Sequence, residues 1–303
     1  MSRFALRLAK VQKRYGKTVA LDGLTLDVPR GSVMGLVGPN GAGKTTTFGI
    51  VSGAVRADAG TVDVLGTGPF DPDRHAGKVT VLPQDCELNP HSSCQEILTF
   101  YARLQRVPDP AKEARRVLEI VRLSDRARSR VRQLSHGMKR RLAVAQALLG
   151  DPELVLLDEP TGGLDPHLVV EMREVLREQR GARTLVVSSH ILSDLEATCD
   201  HVAFIEAGRV TRSGPTEELM GRAGLVTVRL AAPIELEAVA AILDGRAPRL
   251  AGERLTYALL EGEDPSVAHA ALIPRLVEAG ARVVEVQLGR SLEAAYLESR
   301  AAG

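Results

Sequence analysis

Residues 38–46 read GPNGAGKTT, and this stretch restricts the chain more than any other. Gly38, Gly43, Lys44 and Thr45 fill the pattern G-x-x-x-x-G-K-[ST], with the strand-like VMGLV before it and the helix-like TTTFGIVSG after it. Glycines at 38, 41 and 43 let successive backbone N–H groups turn inward, and the following helix presents its positive end, so an anion is favoured twice over. Lys44 is placed to reach the β- and γ-phosphates of a nucleotide, and the Thr45 hydroxyl to ligate Mg²⁺. The expected cradle is Gly38, Pro39, Asn40, Gly41, Ala42, Gly43, Lys44, Thr45 and Thr46.

A phosphate loop of this kind needs a strand behind it and a helix in front, and the rest of the chain supplies the pattern. SVMGLVG, KVTVLP, LVLLDEP, TLVVSSH and HVAFIEAG are short, rich in Val, Ile and Leu, and bounded by Gly, Pro or polar residues. They read as strands of a parallel sheet buried on both faces. AKEARRVLEIVRL and GMKRRLAVAQALL read as helices between them, so residues 1–223 form an α/β domain. From 224 to 303 the order becomes βαββαβ with a closing helix, SLEAAYLESR, which suggests a small ferredoxin-like α+β domain.

Composition removes several function classes. The 39 basic and 38 acidic residues nearly cancel, so the chain lacks the positive excess of a protein held by nucleic-acid phosphates. The arginines of AKEARRVLEIVRLSDRARSRVRQLS are interleaved with acids and lack aromatics for base stacking, which reads as a solvated helical face. Three cysteines, Cys86, Cys94 and Cys199, are too few and too irregular for a disulfide framework and suit a reducing cytoplasm. Cys86, His91 and Cys94 match no zinc spacing. No signal-peptide core and no run of about 18 uncharged apolar residues is present, so any membrane-spanning role falls to another chain.

LVLLDEP ends a buried strand on Asp158 and Glu159, which places both carboxylates at the carboxyl edge of the sheet, where open α/β folds bind ligands. Asp158 suits a water-mediated grip on Mg²⁺. Glu159 suits a general base for an attacking water.

LSHGMKRRLAVAQALLGDP, residues 134–152, resembles the signature segment of ATP-binding cassette (ABC) ATPases. Leu134, Ser135 and Gly137 match the family's Leu-Ser-Gly-Gly-Gln, while His136 and Met138 depart from it at the third and fifth positions. His136 places an imidazole at the implied dimer interface, with a modest pH sensitivity of ATPase assembly as the expectation. The resemblance implies a RecA-like α/β core with an antiparallel β-subdomain and a helical subdomain. It also implies that Ser135 and Gly137 meet ATP held by a second cassette, so that a dimer, expected to be a homodimer, encloses two MgATP. Further positions follow the family's order: Tyr15 for stacking on adenine, Gln84 between Mg²⁺ and the membrane partner, Asp165 in the dimer loop, and His190 as the switch histidine contacting the γ-phosphate.

The tail, ending in QLGRSLEAAYLESR, resembles the C-terminal extension of exporter ATPases that act with separate six-helix permeases. That resemblance implies an ATP-hydrolysing subunit at the inner face of the membrane, with coupling through the stretch DCELNPHSSCQEILTFYARLQ after Gln84. A rival reading is a soluble cassette acting in assembly or cofactor maturation without a permease. A third, a regulatory module without turnover, sits poorly with an intact Glu159 and His190.

Overall fold

The computed structural model describes residues 2–220, 224–243, 245–260, 262–289, 292–293 and 295–296. Two compact units result, Met1–Gly214 and Pro215–Gly303, with the break slightly ahead of the 223/224 boundary read from the sequence.

In the first unit, β1 (Phe4–Tyr15) and β2 (Thr18–Pro29) are long antiparallel partners. Their apolar residues, among them Leu6, Leu8, Leu24 and Leu26, point inward while Arg7, Lys10 and Asp27 face water, the alternation of a sheet with one solvated face. β3 (Val33–Val37) leads into the phosphate loop, and β4 (Ala59–Val64) completes a three-stranded sheet in the order β2-β1-β4. The second sheet adds β5 (Val79–Leu82), β6 (Leu154–Asp158), β7 (Thr184–Ser189), β8 (His201–Glu206) and β9 (Arg209–Pro215), in the order β5-β6-β7-β3-β8-β9. From β5 through β8 each neighbouring pair is parallel. β3, β6 and β7 are buried along their whole length, as their unbroken aliphatic runs require.

The two sheets and the helix Lys44–Val51 share one core, in which Leu6, Leu26, Leu36, Phe48, Val51, Leu156, Val186 and Ile205 meet. A helical layer is built from Cys94–Leu104, Pro110–Ile120 and His136–Ala147, packed on one another. Each begins on a side-chain cap: Ser93 in a reciprocal capping box with Glu96, Asp109 before Pro110, and Ser135 before His136. The arginine-rich stretch carries surface ion pairs, Arg122 reaching both Glu174 at 2.7 Å and Glu178 at 2.8 Å.

The second unit is an antiparallel sheet of β10 (Leu225–Leu230), β11 (Arg249–Ala251), β12 (Arg254–Ala258) and β13 (Val283–Leu288), in the order β11-β12-β10-β13. With the helices Leu236–Ala240 and Pro265–Glu278 this is the ferredoxin-like arrangement. Val228, Leu255, Tyr257, Leu272 and Leu276 form its core. Arg246 clamps Glu263, with Nη2 at 2.6 Å from Oε1, and this holds the Glu263 carboxyl down from its ordinary 4.5 to about 2. Most of the closing helix expected over 291–300 lies outside the described residues.

Phe204 of β8, beside β3, has no exposed surface. Phe204→Ala is expected to destabilise the first unit by about 3–5 kcal/mol through lost burial and the cavity left behind. Urea unfolding followed by circular dichroism measures it, as a fall in the transition midpoint.

Candidate functional site

The strand order decides what can meet. β5, β6, β7 and β3 are consecutive in the sheet and parallel, so their carboxyl ends lie side by side. Gln84 follows β5, Asp158 ends β6 and Glu159 follows it, Ser188 lies at the end of β7 and His190 just after it, and the phosphate loop follows β3. Residues more than a hundred positions apart are thereby gathered on one edge.

A pocket of about 290 Å³ opens there, lined by Tyr15, Thr18, Val19, Ala20, residues 40–46, Gln84, Asp158 and Glu159. Gly38 lies beneath it, buried, where a Cβ would stand 2.2 Å from the carbonyl oxygen of Ile205. Gly43, at φ +109°, is the N-cap of the helix Lys44–Val51, and a Cβ on it would meet the carbonyl of Ala20 at 2.8 Å. Tyr15 is half exposed at the rim, with Lys13 Nζ 5.4 Å from its ring centroid.

Lys44 is 7% exposed; its Nζ donates to the carbonyls of Gly38 at 2.6 Å and Pro39 at 3.2 Å, and stands 4.0 Å from Glu159 Oε1. Burial pushes its ammonium below the ordinary 10.5, and the Glu159 and Asp158 carboxylates oppose that shift. Thr45 Oγ1 donates to Asp158 Oδ2 at 2.8 Å, and Ser188 Oγ donates to Asp158 Oδ1. A hydroxyl beside a carboxylate, with Gln84 lining the same pocket, is an oxygen donor set that fits a hard divalent cation such as Mg²⁺.

Glu159 has φ +51°, in the left-handed region that costs an L-residue about 1–2 kcal/mol. Its N–H donates to Ser188 Oγ at 2.9 Å, and its two carboxylate oxygens each lie 3.0 Å from His190 Nδ1. His190, read from the sequence as a γ-phosphate contact, thus sits against the carboxylate.

Ser135, Gly137 and Asp165 line no part of this pocket. Ser135 caps the helix His136–Ala147, its Oγ accepting from the Met138 N–H at 3.3 Å. Asp165 is exposed at the start of the helix Pro166–Arg177. The two helix starts are neighbours: a Cβ on Gly137 would fall 2.4 Å from Leu168 Cδ1, and one on Gly163 would fall 3.4 Å from His136 Nε2. Cys94 is buried with its Sγ directed at the Ser129 carbonyl, and Cys86 lies near Gln146. Burial raises both thiols above their ordinary value, which disfavours the thiolate that binds metal.

Sequence reasoning passed over three groups. Ser188 holds Asp158. Asp194 accepts from Thr161 Oγ1 at 2.7 Å and pairs with Arg173, joining the segment after His190 to the one after Glu159. Arg140 binds four main-chain carbonyls around the site. The serine of VVSSH was a legible signal, since it ends the strand beside β6; the other two appear as ordinary helix polar residues.

The ABC transporter family matches residues 21–162. The Nod factor export ATP-binding protein I of Ralstonia nicotianae is 39% identical over 222 residues, which cover 71% of this chain and 68% of that protein. The linearmycin resistance ATP-binding protein LnrL of Bacillus subtilis is 33% identical over 227 residues, covering 74% and 73%. Among solved structures, cbiO1 of Clostridium perfringens, part of the ABC transporter complex cbiONQ, superposes with a TM-score of 0.67 at 26% identity, covering 73% of this chain and 92% of that one.

The loop glycines separate two costs. Gly38→Ala drives a methyl into a backbone carbonyl and is expected to weaken binding of a fluorescent ATP analogue by at least about tenfold, whereas Gly41→Ala, with no atom within 4 Å, carries only the positive-φ cost of about 1–2 kcal/mol. Paired fluorescence titrations and melting curves distinguish them.

Proposed function

The chain belongs to the ABC transporter family, whose ATP-binding subunits hydrolyse ATP, and we propose that it is the ATPase subunit of an exporter, driving a separate membrane permease. The observation that carries this reading is a phosphate loop and an acid pair lining one pocket at the edge where adjacent strands end, with a histidine in contact with the second acid.

In this reading residues 38–46 cradle the phosphates through backbone N–H groups and Lys44, and Tyr15 at the rim stacks on the base. Thr45 and Gln84 would hold Mg²⁺ directly and Asp158 through water; the ion supplies charge neutralisation on the phosphate oxygens. Glu159 accepts a proton from the attacking water, and His190, 3.0 Å from both its oxygens, orients that carboxylate and meets the γ-phosphate. Burial among Lys44 and His190 fixes Glu159 before substrate arrives, so little reorganisation remains for the chemical step.

Ser135, Gly137 and Asp165 serve a second copy of the chain. Their position away from the phosphate pocket, on two adjoining helix starts, supports a composite site closed by two cassettes, each giving its loop to one ATP and its Ser135 turn to the other. Export rather than import is supported by two similar proteins, one an export and one a resistance ATP-binding protein. The reading places the chain at the inner face of the membrane through the permease; among the described residues no helix is long and apolar enough to cross a membrane. Phe100 and Leu104, 55% and 64% exposed on the helix after Gln84, offer the permease an apolar landing surface. Closure of two cassettes on ATP would then move the permease halves as rigid bodies.

Glu159→Gln keeps the shape of the side chain and removes the base. Turnover is expected to fall by at least about 100-fold while ATP still binds, and size-exclusion chromatography with MgATP should show a dimer. Turnover at the wild-type rate would remove Glu159 from the role of base.

A further inference from the structure

Arg140 is the buried cation of the site that the reaction itself does not use. It lies one turn into the helix that begins at His136, and it is 9% exposed. Its Nε donates to the Pro160 carbonyl at 3.2 Å, Nη1 to the Gln84 carbonyl at 2.9 Å, and Nη2 to the carbonyls of Asp158 at 2.7 Å and Glu159 at 2.8 Å. All four acceptors are main-chain oxygens, so the guanidinium holds backbone shape, with its planar fork suited to several acceptors at once.

The shape it holds is an unusual one. In an extended strand successive carbonyls point to opposite sides, so two neighbours seldom reach the same donor group. Here Glu159 at φ +51° turns the carbonyls of 158 and 159 toward a single nitrogen, and the 160 carbonyl follows to the same guanidinium. The left-handed turn and the guanidinium therefore require each other: the turn is unfavourable without a partner for its carbonyls, and a buried guanidinium is unfavourable without acceptors. Ser188 supports the same turn from the other side by accepting the Glu159 N–H. The outcome is a carboxylate aimed at His190 and Lys44 instead of one free to follow the strand outward.

We propose that Arg140 is the positioning residue for Glu159, fixing the left-handed turn that aims its carboxylate. The proposal rests on the reading of Glu159 as the base. It also ties the turn at Ser135 and Gly137 to the acid pair, because Arg140 and that turn share one helix.

Arg140→Lys keeps the charge and loses the fork; Arg140→Gln loses both. Each is made alone and in combination with Glu159→Gln, and kcat, KM for ATP, single-turnover hydrolysis and thermal melting are measured on the purified full chain. The expected result is a kcat reduced by about tenfold or more for Arg140→Lys and further for Arg140→Gln, with KM within about twofold of wild type. In the Glu159→Gln background neither substitution lowers single-turnover hydrolysis further, because the group that Arg140 aims is already gone. An additive loss in that background, a rise in KM with kcat unchanged, or the disappearance of cooperative melting in both single variants would overturn the proposal, the last by making Arg140 a part of the fold alone. Wild-type turnover by Glu159→Gln itself would instead overturn the reading on which the proposal rests, and would be visible before any Arg140 variant is compared.

Discussion

Asp158 joins the parts of the site. One of its carboxylate oxygens accepts from Thr45 at the head of the loop helix, and the other accepts from Ser188 at the end of the neighbouring strand. Ser188 in turn accepts the Glu159 N–H, so loop, acid pair and histidine strand are linked through two adjacent side chains. Asp158 is 3% exposed, and in so dry a setting a carboxylate is tolerable only with its oxygens bonded. The arrangement depends on strand order: with β7 between β6 and β3, the serine of β7 stands beside Asp158 on β6, and the loop after β3 is within reach on the far side.

Around that centre the backbone is shaped by close approach. Gly38 has no room for a side chain against Ile205, and Gly43 approaches Ala20 closely at φ +109°, which brings the loop down onto strands of both sheets. Glu159 takes a positive φ without being glycine, and its carbonyl and N–H are held by Arg140 and Ser188. The Ser135 and Asp165 segments form a second locus, where glycines at 137 and 163 let two helix starts come together beside His136. In the proposed reading one chain carries both halves of a nucleotide site without bringing them to a common pocket, which is the arrangement a two-fold symmetric pair of cassettes would use.

Much of this was legible in the sequence. The aliphatic runs ending in VG, LDEP and VSSH announced parallel strands with polar residues at their carboxyl ends, and the glycine pattern at 38–43 announced the loop; both arise from local requirements of burial and φ. In the tail, the alternation of short strand and helix patterns gave the βαββαβ order of elements seen in the second unit. What was hidden depends on tertiary neighbours. Arg140 in MKRRLAV looks like any solvated helix arginine, and only the packing of that helix against the end of β6 turns it toward four carbonyls. The contact of His190 with Glu159 and the Asp194 pairing with Thr161 likewise require the strand order, which periodicity does not carry. The unit break falls at Gly214 instead of 223/224, because the short helix Thr216–Leu219 groups with the second unit, a matter of contacts that composition does not reveal.

The central claim is that each ATP is shared between the loop of one copy and the Ser135 turn of another. The most direct measurement mixes two variants that are each impaired, Lys44→Ala, which damages the loop, and Ser135→Ala, which damages the opposing turn, and records ATP hydrolysis. A mixed dimer contains one site with an intact loop facing an intact turn, so turnover well above that of either variant alone is predicted. A mixture no more active than its separate components, with dimer formation verified, would contradict the shared site.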